Sequence, residues 1–312
     1  NYATVVVNSA AMEKYSGDVV IPEKFLYNNS KYTVRYVEFA FRFCPDLTSV
    51  TLPKTIEVVD LGSFVGSPLL SAINVAEGNE YLKSVDGVLY ACPDFMRAHY
   101  RLDAVPGKFA GTFTVPEWVG EIAKYAFSHC EGITEIKMPP SVKVMGEGAF
   151  SDCSTLERVN IPDGVENIGE LMFSNCKSLK SLQLPQTVTA IEENAFWECS
   201  SLVSVNLPEG LTRIGNMAFG NCVSLASIQI PTTLGSVPQA LFQNCESLEV
   251  IDIPYGVYSI KKSAFYGCRS LEKVVIANSV RSVDENVFMG CDKLMEVYVS
   301  WDYQNIPRNS GH

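Results

Sequence analysis

Cysteine is the residue here whose type and spacing most invite chemistry, because a thiolate is both a nucleophile and a soft metal ligand. The chain holds ten. Eight of them, Cys130, Cys153, Cys176, Cys199, Cys222, Cys245, Cys268 and Cys291, stand 23 residues apart without a slip. A zinc site calls for ligands converging at short spacing such as C-x-x-C, which single cysteines one repeat apart do not provide. If each repeat is one winding of a coil, equivalent Cα atoms lie about 4.8 Å apart. Parallel Cα–Cβ bonds then hold the sulfurs near that separation, against about 2.05 Å in a disulfide. The expectation is a row of reduced thiols that fill a tight inner slot as small apolar groups. Ser67, in the equivalent slot of an earlier repeat, fits that reading. Reduced thiols suit an anaerobic setting better than an oxidising one. Cys92 lies outside the ladder. No metal or cofactor site is expected.

His129 beside Cys130 raises the possibility of an activated thiol. Its slot is filled elsewhere by Asp152, Asn175, Glu198, Asn221, Asn244, Gly267 and Gly290, a polar or turn series, so the histidine is expected to face water and the cysteine the core. His99 and His312 have no evident partner. No G-x-S-x-G elbow, G-x-G-x-x-G or P-loop sequence occurs, and Glu192-Glu193 reads as a solvated edge. Asp86, Asp94, His99 and Asp103 form the one dense polar cluster, which keeps a hydrolase as the less favoured alternative. No catalytic residue is assigned.

The elements that position these residues are repeats. Phe127, Phe150, Phe173, Phe196, Phe219, Phe242, Phe265 and Phe288 keep the same step, as do the prolines from Pro116 to Pro254. In one unit, Phe196, Cys199 and Leu202 recur every three residues, the spacing of a short helical or 3₁₀ turn. Leu202, Val205 and Leu207 then alternate with polar residues, which predicts a short strand with one face buried. Pro208 ends that strand because it has no N–H for a ladder, and Leu211 and Ile214 carry a second extended run. A single winding cannot bury these apolar groups, but stacked windings bury one another. Length alone suggests about two domains; the repeat predicts one elongated solenoid.

The register has interruptions. Residues 1–43 form an atypical first segment, 44–75 are regular, 76–112 lose the step, 113–299 are regular again, and 300–312 form a tail in which Trp301 and Tyr303 begin a seal. Within 76–112, V-D-G-V-L-Y at 85–90 places an Asp-Gly turn signal beside an apolar run, which predicts a β-hairpin on the flank. The chain opens at Asn1 without an apolar leader, so the expectation is that a signal peptide has been removed or was never there.

The unit A-F-x-x-C-x-x-L-x-x-V-x-L-P, followed by V-x-x-I-G, resembles the BspA-like leucine-rich repeats, also called the Treponema pallidum type. The resemblance spans roughly residues 15–299 and includes V-D-G-V-L-Y at 85–90 and Y-S-G-D-V-V-I-P at 15–22. It departs at Ala277, where the repeat proline is missing, and at Met172, Leu241 and Val287, where Ala precedes Phe elsewhere. It implies a right-handed leucine-rich-repeat solenoid, a secreted or surface-displayed bacterial protein, and an adhesive or protein-binding role.

The remaining chemistry is surface chemistry. There are 24 Lys and Arg against 35 Asp and Glu, a net charge of −11, which argues against nucleic acid and anionic membrane as partners. No apolar run is long enough to span a bilayer. Residues flanking the buried valine of each strand point away from the core. Glu135, Lys137, Arg158, Asn160, Gln183, Asn206, Gln229, Val250, Asp252, Lys273, Val275, Glu296 and Tyr298 therefore form the candidate ligand face, with Val250, Val275 and Tyr298 as anchors. The reading is a non-enzymatic, extracellular or cell-surface scaffold binding a protein or glycan. A structural spacer or self-assembling surface protein is the alternative.

Overall fold

The computed structural model describes residues 2–6, 14–92 and 98–300. Asp94, His312 and the tail with Trp301 and Tyr303 lie outside the described residues. Two compact units divide the chain, Asn1–Pro162 and Asp163–His312.

In the first unit, Gly17–Val20, Leu47–Leu52 and Ala72–Val75 form a parallel ladder between successive windings. Ala110–Thr114, Gly132–Lys137 and Arg158–Val159 form another. Residues 76–112 contain the antiparallel strands Leu82–Val85 and Val88–Ala91. Asp86 and Gly87 both take positive φ at their junction, the geometry of a tight hairpin turn. Tyr100–Ala104 pairs antiparallel with Val88–Ala91 and parallel with Val119–Ile122, joining the hairpin to the regular windings.

In the second unit neighbouring windings are tied along as many as three edges. Ser181–Gln183 pairs with Ser204–Asn206, and Val250–Ile253 with Lys273–Ala277 and then Glu296–Ser300. The second extended run gives the two-residue strands Asn167–Ile168, Ala190–Ile191 and Arg213–Ile214 in one ladder, and Ser236–Val237, Ser259–Ile260 and Ser282–Val283 in another. The third edge is the Phe–Cys segment, where the Phe173 N–H donates to Ala195 O at 2.8 Å and the Phe196 N–H to Ala218 O at 2.8 Å.

The predicted helical turns are not there: the described residues hold strands, turns and bends without a helix. The three-residue spacing is real, since the Cys199 N–H donates to Phe196 O at 3.1 Å and the Leu202 N–H to Cys199 O at 3.0 Å. The bonds do not propagate because two residues per winding are left-handed. Asn194 (φ 55°) precedes Ala195 and Glu198 (φ 59°) precedes Cys199; Met217 with Asn221 and Ala240 with Asn244 repeat the pair. A left-handed residue every fourth position breaks the run of right-handed dihedrals that a helix needs. The Asp, Asn and Gly in the slot before Cys are the residue types that tolerate this conformation most readily.

The inward Phe side chains meet their counterparts as expected. Ring centroids of Phe173–Phe196, Phe196–Phe219, Phe219–Phe242, Phe242–Phe265 and Phe265–Phe288 lie 5.5, 5.1, 5.9, 5.5 and 5.6 Å apart. In the first unit Phe41–Phe64 stack at 5.5 Å, and Phe127–Phe150 meet at 5.3 Å with their planes tilted by 33°. These rings are the largest fully buried side chains, except that Phe64 keeps slight exposure and Phe288 is half-buried.

Candidate functional site

The thiols come first because they carry the strongest sequence signal. Cys130, Cys153, Cys176, Cys199, Cys222, Cys245 and Cys268 are buried and form no disulfide, and Cys291 is half-buried. They are more than apolar filler. In the regular windings the Sγ–H reaches the carbonyl of the Phe 26 residues earlier: Cys153 to Phe127 O at 3.0 Å, Cys199 to Phe173 O at 3.1 Å, Cys222 to Phe196 O at 3.2 Å and Cys245 to Phe219 O at 3.2 Å, whereas Cys130 reaches Val105 O at 3.6 Å. Ser67 makes the same bond, donating to Phe41 O at 2.8 Å while accepting from the Cys44 N–H at 3.2 Å. The slot therefore selects a small side chain with a hydrogen to give. Burial pushes the Cys153 and Cys199 thiols up to about 12. At neutral pH they are neutral thiols, which are poor nucleophiles.

His129 does not activate Cys130. Its Nδ1 lies 3.0 Å from Ser128 Oγ and 3.7 Å from Asp152 Oδ2, and its ring meets Phe43 edge-on with centroids 5.6 Å apart. A relay needs the carboxylate on one ring nitrogen and the hydroxyl on the other; here both face the same nitrogen. In the 76–112 segment, Asp103 is buried and held by the Arg101 guanidinium. Asp86 occupies the hairpin turn and His99 packs beside Gly120. Lys83 Nζ lies 4.0 Å and 4.2 Å from the ring centroids of Trp118 and Tyr100. Among the described residues no group of three or more His, Cys, Asp or Glu is arranged to hold a metal. No helix there is long and apolar enough to cross a membrane.

The strand face divides by what each side chain already touches. Glu135 accepts from Thr112 Oγ1 at 3.0 Å and lies 3.8 Å from Lys137 Nζ and 3.5 Å from Arg158 Nε. The Thr112 hydrogen bond first, then the two cations, hold its carboxyl below the usual range. These charges answer one another. Asn160 and Asn206 are structural. Asn160 Oδ1 accepts from the Met138 N–H and its Nδ2 donates to Met138 O, both at 2.8 Å; Asn206 treats Leu184 in the same way at 2.9 and 3.1 Å. Each amide stands in for a strand neighbour. Val275 is only 4% exposed and so is not on the face. It pairs with Tyr298 in the ladder, and Lys273, two residues before it, reaches diagonally to 4.9 Å from the Tyr298 ring centroid, screening the position. Glu296 and Tyr298 are exposed, Gln183 is exposed, and Lys273 is half-exposed.

Gln229, Val250 and Asp252 converge. They line a groove of about 250 Å³ together with Ile228, Ile230, Thr232 and Pro254. The segment 227–230 is the one place in this series of strands in the second unit where neither neighbour pairs with it. Its backbone N–H and C=O groups form no hydrogen bond with any described residue.

The repeat pattern of the family described as BspA type leucine rich repeat region matches in six copies over residues 27–92, 109–226 and 171–295. The chain belongs to the BspA-type leucine-rich-repeat family. A leucine-rich repeat protein from Bacteroides ovatus is similar at 26% identity and TM-score 0.57, over 90% of this chain and 76% of that one. The Treponema pallidum leucine rich repeat protein is similar at 27% identity and TM-score 0.51, over 66% and 87% of the two chains. The pneumococcal vaccine antigen PcpA shares the fold at 17% identity and TM-score 0.54, over 91% and 92%. No curated protein matches the sequence.

Within this BspA-type array one proline loosens the winding that carries 227–230 from the winding before it. The residue directly after the second strand of a winding normally donates its N–H to the winding before. Glu192 donates to Ile168 O at 2.8 Å, Gly215 to Ile191 O at 2.8 Å, Lys261 to Val237 O at 2.9 Å and Asp284 to Ile260 O at 3.0 Å. Pro238 holds that slot in the winding that carries the groove, and it has no N–H. Ser236–Val237 accordingly does not pair with Arg213–Ile214. The Phe–Cys edge stays closed, with the Phe219 N–H donating to Leu241 O at 3.1 Å. The winding is thus held along the Phe–Cys edge, paired only with the following winding along the second strand edge, and left without strand pairing at 227–230. Pro238 was the available signal for this; no residue type marks the release at 227–230.

Proposed function

We propose that this chain is a non-enzymatic scaffold, displayed at the bacterial cell surface, that binds a protein partner through the strand face of its second unit. The observation that carries the reading is the contrast between its reactive and its available groups. The Cys153 and Cys199 thiols are buried and protonated, His129 lacks relay geometry, and Asp103 is paired. Gln229, Val250 and Asp252 stand exposed around a groove with unmet backbone groups beside them. Kinship with BspA-type leucine-rich-repeat proteins supports the same reading, since solenoids present long strand faces to partners.

The test is an array of purified extracellular matrix proteins and glycans probed with the full chain and with Val250→Glu and Glu135→Ser variants. Binding to a protein that Val250→Glu abolishes and Glu135→Ser leaves intact is the expected result. Binding that survives Val250→Glu would remove the strand face of the second unit as the site. Turnover of an ester, peptide or glycoside substrate that is lost on His99→Ala would replace the scaffold with an enzyme.

A further inference from the structure

The groove says more about its occupant than that it is a protein. Parallel strands direct alternate N–H and C=O groups to each side. Val250–Ile253 satisfies one side through Lys273–Ala277 and has no strand on the other. Across the groove, residues 227–230 form no strand and have no main-chain partner among the described residues. Two facing backbone edges with unmet donors and acceptors are what an added strand pairs with.

The side chains narrow the occupant. Ile228, Ile230, Val250 and Pro254 give the lining aliphatic surface beside the polar Gln229 and Thr232, and Asp252 is its only charged group. Its carboxylate has no cationic side chain among the described ion pairs, and it lies on a chain of net charge −11. No aromatic ring lines the groove, so the flat apolar surface on which sugar rings usually stack is missing. An extended peptide fits better: its backbone meets the free edges and its alternating side chains meet the aliphatic wall and Asp252.

Resting on the scaffold reading above, we propose that the partner enters this groove as an extended peptide that adds a strand to Val250–Ile253, with an aliphatic side chain against Val250 and Ile228 and a Lys or Arg side chain against Asp252. Four paired residues span about 13 Å at roughly 3.3 Å each, so a short linear segment is sufficient.

The probes are fluorescein-labelled, end-blocked octapeptides that alternate Val with Lys, Val with Thr, or Val with Glu, measured by fluorescence anisotropy against the full chain. The expected order is Lys tightest and Glu weakest, with at least a tenfold span. Methylating every second backbone amide of the Val-Lys peptide should abolish binding. Asp252→Lys should weaken the Val-Lys peptide at least tenfold, and Asp252→Asn should weaken it less. Hydrogen exchange should show protection on binding at residues 228–230 and 250–253. Equal affinity for the Val-Glu peptide, indifference to amide methylation, or protection confined to other residues would each overturn the proposal. Glycan binding lost in Asp252→Lys, with no peptide bound, would overturn it too. The two readings are separable: if array binding to a protein persists in Asp252→Lys but disappears in Val250→Glu, the strand face stands and the peptide groove falls.

Discussion

Replacing Cys199 tests whether the ladder slot is an apolar filler or a hydrogen-bond donor. Cys199 is fully buried, and its thiol donates to Phe173 O at 3.1 Å. Cys199→Ala removes the sulfur, worth about 0.8 kcal/mol of transfer, about that of one methylene. It leaves a void of about 20 Å³, which adds about 0.5 kcal/mol. The lost S–H bond adds about 0.5 kcal/mol, at the low end for a hydrogen bond, because the Phe173 carbonyl keeps its bond from the Cys176 N–H at 3.1 Å. The total is about 2 kcal/mol. Cys199→Ser suffers the transfer loss but keeps the donor, as Ser67 does toward Phe41 O at 2.8 Å, so about 1 kcal/mol or less is expected. Urea unfolding of both variants, compared at a common m-value, reads the difference directly. If alanine is as stable as serine or better, the donor contributes nothing and the slot is filled by size alone.

The same thiols predict an alkaline limit. The folded Cys153 and Cys199 hold their protons up to about 12, whereas an unfolded thiol releases its proton near about 8.5. Their contribution is complete below that lower value and is lost as pH rises toward the upper one, at about 1.4 kcal/mol per pH unit for each thiol. Urea midpoints at pH 8, 9 and 10 should therefore fall, and the double Cys153→Ser, Cys199→Ser variant should fall less steeply; parallel profiles would contradict the assignment. Glu198 sits at φ 59° where Asn221 and Asn244 follow in the next two windings, so Glu198→Asn should raise stability by about 0.5–1 kcal/mol in thermal melts, because Asn tolerates the left-handed region better. Asn160→Ala should cost about 1–2 kcal/mol by losing two main-chain bonds at Met138, while Gln183→Ala, on an exposed position of the face, should stay within about 0.5 kcal/mol; equal effects would return Asn160 to the binding surface.

The repeating slots were legible because several residue types share one register. Phe196, Cys199, Leu202, Val205 and Leu211 are all buried as their spacing requires. Three features were not, each for a physical reason. Spacing by three looks the same in a helix and in a chain of isolated turns; the difference lies in the φ of Asn194 and Glu198, and Glu in particular gives no warning of it. Period two assigns a face but not what lies above it, so Val275 under the Lys273–Tyr298 pair was misplaced. The same blindness put Asn160 and Asn206 among free polar groups, although their amides bond the backbone one winding back. The candidate groove needed Pro238 to be compared with Gly215 and Lys261 slot by slot, since a proline alone signals only a missing donor.

The reach of the cysteine bond bears on how such a chain finds its structure. Cys199 answers Phe173, Cys222 answers Phe196, and Cys245 answers Phe219, always 26 residues back, while the backbone ladders span 22 to 24. The entropy of closing a loop depends on its length, and here that length is the same for every winding. Relative contact order therefore falls as windings are added. A nascent chain of this design can complete each coil as soon as about one further repeat has been synthesised, and lengthening the protein leaves the search for each native partner as short as it was for the first.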